Sequence, residues 1–414
     1  MSKIKFATPD VGWKEIDEIC DTVESGWLTN GPKVREFERR IAEMSGCDRA
    51  VAFDSCTGAM EMTLRALGIG PGDEVITTPY TYSATAEVIR NVGATIVFAD
   101  LDDDELSFEM NYGKVAAAIT ERTKAVMPVD IGGKLCNYDA LMAALQEKRS
   151  LFQPNTPLQE AIGRVVVVAD AAHSFGADCG SRVCGQFADF TCFSFHVLKN
   201  ITTGGEGGAV VWRDFCGVDN SALERALRLL GDHGQTSRNK NGGWEYDIVL
   251  FGYNSIMTDV DAAMGLAQLD RFDEIRQKRI EVTCRYDELF DRLASDHCRV
   301  TPVIRHFGPD YTSAMHLYPI KLNLPETYTR PRDMAEQARN RVYQTLNNLG
   351  IPCNVHYKPL PMMTAYKSIG FNIANYPRAY EMYRDLLTIP YHTELTADEQ
   401  ERIVLEIGEA VSRL

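Results

Sequence analysis

The sequence predicts an α/β fold built on a mostly parallel sheet, followed by a smaller α+β unit. Three observations predict it. Several strand candidates are apolar throughout rather than alternating, the mark of strands covered on both faces. Between about residues 50 and 213 these strands alternate with helical patterns. Beyond that stretch the rhythm changes, and 414 residues comfortably make two domains. The expected division is a large α/β domain over 1–274 and a small α+β domain over 275–414.

Taken in order, the strands are expected at 50–54 (AVAFD), 74–78, 95–100, 124–130, 164–170 (RVVVVAD), 188–195 and 207–212. Helical stretches at 57–67, 83–91, 112–120 and 138–147 fall between the early ones. The segment 148–163, with its prolines and polar residues, reads as a surface insertion. After Lys199 no crossover helix follows. A short glycine-rich turn joins strands 188–195 and 207–212, which predicts a local hairpin. A polar loop at 231–247 precedes one long helical pattern over about 258–296. The small domain then reads as strand-like 316–322, helix 331–349, strand-like 353–360 and two terminal helices.

Composition narrows the function. The net charge is −15, which disfavours nucleic acid and anionic membranes as partners. An anionic substrate would need a local site that overrides this field. Eleven cysteines without CxxC spacing are expected to be reduced and mostly buried, as suits a cytoplasmic protein. No metal-ligand spacing occurs, and DLDDDELS at 100–107 lacks the glycine and closing glutamate of a calcium loop. The first residues carry no apolar secretion signal.

Ligands of open α/β sheets bind beyond the carboxyl ends of strands, and four stretches sit at such ends. In FDSCTGAM, a helix opens after Ser55, Cys56 and Thr57; its free N–H groups and dipole suit a phosphate, and the hydroxyls equally suit a plain N-cap. In PYTYSATAEVI, Tyr82 offers a face for a flat ring or a core aromatic. In VVVVADAAHSFGA, Asp170 ends the most apolar strand, where a carboxylate needs a charge or strong donors; a protonated pyridine nitrogen would serve, as would capping the next turn. Ala171 and Ala172 leave room for a ring, and His173 follows. In FSFHVLKNITTGGEGGAVV, Lys199 stands 29 residues after Asp170, with a loop and a strand between, so both reach one sheet end. A lysine in a dry pocket loses its proton readily and can form a Schiff base. Together these supply what pyridoxal phosphate needs: an anchor for the phosphate, a stacking face, a partner for the ring nitrogen and an amine.

The ordered set WLTNGPKVREFE (27–38), PGDEVITTPYTYSATAEVI (71–89), ADAAHSFGA (169–177), FSFHVLKNITTGGEGG (193–208), YNSIMTDVDAAMGLAQLDRF (253–272), VHYKPL (355–360) and IPYHTELTADEQ (389–400) resembles the DegT/DnrJ/EryC1/StrS family of sugar aminotransferases. The resemblance implies the fold type I, aspartate-aminotransferase-like architecture of pyridoxal-phosphate enzymes. It implies that Lys199 holds the cofactor covalently, that Asp170 pairs with the ring nitrogen, and that Ala172 and Tyr82 lie against the two ring faces. Cys56, Thr57 and Ser194 would hold the phosphate, with His173 close by. Asn254 would reach the phosphate of a neighbouring subunit, which implies a homodimer with shared sites. Thr29, His356 and Tyr357 fall at expected substrate positions. The chain departs from the family pattern at Cys56, at Ile256 in place of an arginine, and at Pro361 in place of a histidine.

The resemblance implies transfer of the amino group of L-glutamate to a keto group of a nucleotide-linked sugar, with VHYKPL pointing to a 4-keto-6-deoxy sugar, in amino-sugar, surface-polysaccharide or natural-product biosynthesis. A dehydrating branch of the family carries histidine at the lysine position, and this chain keeps Lys199. Dehydration, amination of a non-nucleotide cyclic ketone, and a non-catalytic cofactor-binding dimer are the alternatives.

Overall fold

The valine run 165–168 lies at the middle of the largest sheet, buried completely or nearly so. In a computed structural model of the chain, residues 3–236, 244–295, 300–324 and 333–414 are described. Cys298, the loop residues 237–243, the end of the long helical pattern at 296 and the first two residues of the 331–349 helix lie outside them.

Among the described residues, thirteen strands form three sheets. The first nine are β1 Ala50–Phe53, β2 Glu74–Thr77, β3 Thr95–Phe98, β4 Thr123–Met127, β5 Val166–Asp170, β6 Asp178–Cys179, β7 Arg182–Val183, β8 Phe190–Ser194 and β9 Gly208–Trp212. The rest are β10 Val300–Pro302, β11 Tyr311–Thr312, β12 Tyr318–Leu322 and β13 Leu386–Ile389. The large sheet has the order β1-β9-β8-β5-β4-β2-β3, with β9 antiparallel to both its neighbours and every other pair parallel. β10, β12 and β13 form an antiparallel sheet, and β11, β6 and β7 a small third one.

Both faces of the large sheet are covered, which is why its strands carry no polar face. Val167, Ala169 and Phe193 pack on one side with Phe37 and Ile41. Val166, Val168 and Cys192 pack on the other with Met60, Leu64 and Ile89. The helices that supply these residues are α2 Pro32–Met44, α3 Cys56–Ala66 and α4 Ser83–Asn91. They are preceded by α1 Trp13–Ser25, which seals the buried Glu15 against Gln268 and Arg271. α2 is capped from afar: the buried Asp259 carboxylate accepts the N–H groups of Gly31, Lys33 and Val34 at 2.9–3.1 Å.

A separate apolar cluster joins Tyr286, Tyr318, Ile320, Leu387 and Ile403 around the β10-β12-β13 sheet. Ile4 belongs to the same cluster, so the first described residues pack on the C-terminal part of the chain.

Four expectations need correction. The helical pattern at 258–296 is two helices, Asp259–Asp270 and Phe272–Ser295; Arg271 leaves the helical path (φ −106°, ψ 7°) to bind Asp10 and Glu15. Segment 353–360 is not a strand. It makes one bridge, Asn354 to Thr388, before Pro359 and Pro361, which lack N–H groups, turn it into a short 3₁₀ segment at Leu360–Met362. The 148–163 insertion is anchored: Phe152 is buried and Gln159 Nε2 donates to the Leu67 carbonyl at 2.9 Å. Strands β8 and β9 do pair as a hairpin, but residues 195–207 connect them, not a tight turn. Of the ten described cysteines, all free thiols, five are buried. No helix among the described residues is long and apolar enough to cross a membrane.

Candidate active site

The carboxyl ends of β1, β5 and β8 open onto a cavity of about 830 Å³. Cys56, Thr57, Asp170, Ser194 and Lys199 line it from the sheet side. His316, His356 and Tyr357 line it from the C-terminal part, with Phe6 and Ala7 of the N-terminal segment at the rim.

Asp170 is the last residue of β5 and is 5% exposed. Its Oδ2 accepts the Thr85 hydroxyl at 2.6 Å, and its Oδ1 accepts the Ala172 N–H at 3.2 Å. The capping and site readings of this residue are therefore compatible. Burial pushes its carboxyl above the ordinary value, while Thr85, Ala172 and the Lys199 charge pull the other way. Such a carboxylate lacks a full counter-charge among the groups bonded to it, and a cation placed in the cavity would supply one.

Lys199 lies in the 195–207 connection, its N–H bonded to the His196 carbonyl at 2.8 Å. It keeps partial exposure toward the cavity. Loss of hydration pushes its amine below the usual lysine value, against the opposing pull of Asp170, Cys56 and Glu206. The amine thereby holds more of its neutral, nucleophilic form at neutral pH.

Helix α3 begins at this cavity. Ser55 is its N-cap, with Oγ accepting the Gly58 N–H at 3.0 Å. The N–H groups of Cys56 and Thr57 belong to the first turn, which offers them no helical acceptor. β9 presses against this helix start: a Cβ on Gly208 would stand 2.3 Å from the Cys56 nitrogen. Glycine there lets two backbones meet. Cys56 is buried, and its Sγ donates to the Cys192 carbonyl at 3.4 Å. Burial pushes its thiol well up, so it stays neutral beside the helix start. Ser194 ends β8 on the same wall.

Histidines form the opposite wall. The His173 and His316 rings pack against each other, tilted by 35°, with centroids 4.3 Å apart. His173 Nδ1 accepts the Gly132 N–H at 3.1 Å, which leaves its proton on Nε2, 3.3 Å from the Tyr357 hydroxyl. His356 Nδ1 lies 3.0 Å from the Thr388 hydroxyl. Burial, reinforced by the Lys199 charge, holds His173 and His316 well below the ordinary histidine value and His356 at about 4. At neutral pH these are uncharged hydrogen-bonding groups. Tyr82 begins α4 at the cavity mouth, 65% exposed, its ring 6.1 Å from that of Tyr357.

Of the sequence-predicted site residues, the cavity gathers Cys56, Thr57, Tyr82, Asp170, Ala172, His173, Ser194, Lys199, His356 and Tyr357. Thr29 and Asn254 are exposed and lie off the cavity of their own chain. Sequence reasoning missed Thr85 and His316. Thr85 falls three residues after Tyr82, one turn along the same helix, a spacing that could have revealed it. His316 heads an apolar strand-like run, and nothing local marks it.

The residues fit a flat, phosphorylated pyridine. Two unpartnered helix N–H groups and nearby hydroxyls suit the phosphate, the buried Asp170 suits a ring N–H, and a neutral-leaning amine sits in the same space. A mostly parallel α/β sheet carrying this set at its carboxyl end is the architecture of a pyridoxal-phosphate-dependent enzyme.

The chain belongs to the DegT/DnrJ/EryC1/StrS aminotransferase family, whose pattern matches residues 9–408. It is 34% identical over 414 residues to the spore coat polysaccharide biosynthesis protein SpsC of Bacillus subtilis, covering 99% of this chain and 97% of that protein. It is 29% identical over 412 residues to the GDP-perosamine synthase of Caulobacter vibrioides, covering 99% of each. Spr1654 of Streptococcus pneumoniae, assigned as a sugar aminotransferase and solved in its PLP form, superposes with a TM-score of 0.92. Its identity is 39%, over 100% of this chain and 99% of that one. It was also solved in its PMP form. The protein is thus a member of a sugar aminotransferase family that works with pyridoxal phosphate.

Proposed function

We propose that this protein transfers the amino group of L-glutamate to the keto group of a nucleotide-linked sugar, most specifically a 4-keto-6-deoxy sugar. The observation that carries the reading is the depressed Lys199 amine and the buried Asp170 carboxylate on one cavity wall. About 830 Å³ is large for a ligand site and leaves room for a substrate bigger than an amino acid. The kinship with a perosamine synthase and a polysaccharide-biosynthesis protein supports a sugar as acceptor.

When bound, pyridoxal phosphate supplies a carbonyl for the amine and an electron-withdrawing ring. The chain does the rest. Cys56 and Thr57 offer backbone N–H groups, and Thr57 and Ser194 offer hydroxyls, to the phosphate. Asp170, aimed by Thr85 and Ala172, keeps the ring nitrogen protonated. Ala172 would lie against one ring face and Tyr82 against the other. Lys199 Nζ removes the proton from the α-carbon of the amino donor and later returns one to the carbon that bears the new amine. His173, neutral and fixed by Gly132, would stand close to the ring.

The working unit in this reading is a homodimer. Asn254 is held in its own chain off the cavity, by a bridge to Asp232 and by its neighbour Ser255, whose Oγ donates to Asp54 Oδ1 at 2.6 Å. Its chain neighbours Phe251, 97% exposed, and Tyr253, with Trp244 and Val249, are exposed apolar side chains, as are Trp27 and Leu28 beside Thr29. A second copy covering these side chains would receive Asn254 and Thr29 near its cavity.

The test is a panel of UDP-, GDP- and dTDP-linked 3-keto and 4-keto sugars with L-glutamate, read by mass. An aminated nucleotide sugar is expected. No product from any of them, with glutamate still converting the bound cofactor, would reject the acceptor class.

A further inference from the structure

His316 is held by three separate contacts, none of which uses its Nε2. Its backbone N–H donates to the Gly132 carbonyl at 3.1 Å. Its ring packs, tilted by 35°, against His173, which the N–H of the same Gly132 fixes. Its Nδ1 lies 3.0 Å from Asn200 Oδ1.

Asn200 has only one way to stand. Its Nδ2 donates to the Ala314 carbonyl, so Oδ1 is the end that meets His316. A carbonyl oxygen only accepts, so His316 Nδ1 carries the proton. The ring is neutral, because burial and the neighbouring charges of Lys199 and Arg279 disfavour the cation. Nε2 is therefore a bare lone pair. Among the described residues no donor reaches it, and the side chain lines the cavity. Asn200 follows Lys199 directly, so one turn sets both the amine and the orientation of this acceptor.

We propose that His316 Nε2 accepts a hydrogen bond from a ring hydroxyl of the sugar substrate, and that Asn200 is the positioning residue that keeps it an acceptor. This rests on the reading of the acceptor as a nucleotide-linked sugar. The contact with His173 gives the reason for the location: His173 spends its proton on Tyr357, so His316 is the histidine of the pair left to meet substrate. A sugar lacking that hydroxyl leaves the lone pair buried and unmatched, which is how a site rejects a deoxy analogue.

The test uses the holoenzyme and the keto sugar that the panel identifies. His316→Phe keeps a ring packed against His173 and removes the acceptor. It is expected to raise KM for the sugar about tenfold, the cost of one neutral hydrogen bond. Cofactor affinity and the rate at which L-glutamate converts the bound cofactor should stay within about twofold. His316→Gln, which can still present an acceptor, should recover most of the lost KM. Among singly deoxygenated sugars, one should show no difference between wild type and His316→Phe. An unchanged KM in His316→Phe would overturn the proposal, and so would an equal loss in the glutamate half-reaction or in cofactor affinity. Failure of the wild type to aminate any sugar of the panel would instead reject the acceptor class.

Discussion

The Thr85 hydroxyl donates to Asp170 Oδ2 at 2.6 Å, and Thr81 stands 2.8 Å behind it. A helix start and a strand end thereby share one short chain of hydroxyls ending on a buried carboxylate. Thr85 is wholly buried, so its only evident work is to hold Asp170 charged and aimed. Replacing it with valine keeps the volume and removes the donor. A hydrogen bond to a charged group contributes about 1.5–3 kcal/mol. Thr85→Val is therefore expected to weaken pyridoxal-phosphate binding by about tenfold or more. Absorbance titration of dialysed protein measures this, and an unchanged affinity would show that Thr85 only fills space.

Lys199 makes a second, sharper prediction. Borohydride treatment of the cofactor-loaded protein should fix the cofactor to one peptide, the one containing Lys199. Lys199→Ala should show no such mass increase and should not convert L-glutamate. A labelled peptide in that variant would move the covalent attachment to another lysine; Lys358, exposed at the cavity rim, is the first to inspect.

Two glycines of the 204–208 run work differently. A Cβ on Gly208 would meet the Cys56 nitrogen and the Ser55 carbonyl carbon at 2.3 Å, both backbone atoms of the helix start. A Cβ on Gly204 meets only the Met264 sulfur at 3.5 Å, but its φ of +110° is unfavourable to any other residue. Gly208→Ala should push α3 away and cut cofactor affinity along with stability, by roughly 1–3 kcal/mol. Gly204→Ala should lower the melting temperature and leave cofactor affinity intact. Loss of cofactor affinity in the Gly204 variant, with Gly208→Ala unaffected, would reverse the assignment.

These residues also show what was legible in the sequence. The sheet was, because apolar runs such as 165–168 have one good place, a strand covered on both faces. Asp170 and Lys199 were, because a charge at the end of such a run needs a reason. The length of the β8–β9 connection was not: its glycines suggested a tight turn, while Lys199 and the Thr202–Thr203 hydroxyls fold a longer one. The break at Arg271 was also hidden, since its cause is Asp10 and Glu15, far away in the chain. His316 was hidden for the same reason. Its role depends on Gly132, Asn200 and His173, three residues from three segments, and no spacing around it in the chain records them.

Buried imidazoles give the stability a pH dependence with a definite sign. Burial holds His306 at about 3, His356 at about 4, and His173 and His316 well below 6.5. Their folded values lie under the unfolded one, so their contribution is complete above about pH 6.5. It is lost as pH falls, because the unfolded chain then binds protons that the folded chain refuses. Each such histidine adds a slope of about 1.4 kcal/mol per pH unit in that window. Asp130, raised to about 6, and Asp385, raised to about 7, act in the opposite sense, since the folded chain keeps protons there that the unfolded chain releases. The lowered imidazoles, His392 among them, outnumber the carboxyls raised into this range, so the melting temperature should fall between about pH 7.5 and 6.0. His306 is the clean probe, because it stacks on Tyr391 and bonds Ser313 without lining the cavity. His306→Phe should melt with a shallower pH slope than wild type. A melting temperature that rises on acidification, or a His306→Phe slope as steep as that of wild type, would show that these imidazoles are not held neutral by the fold.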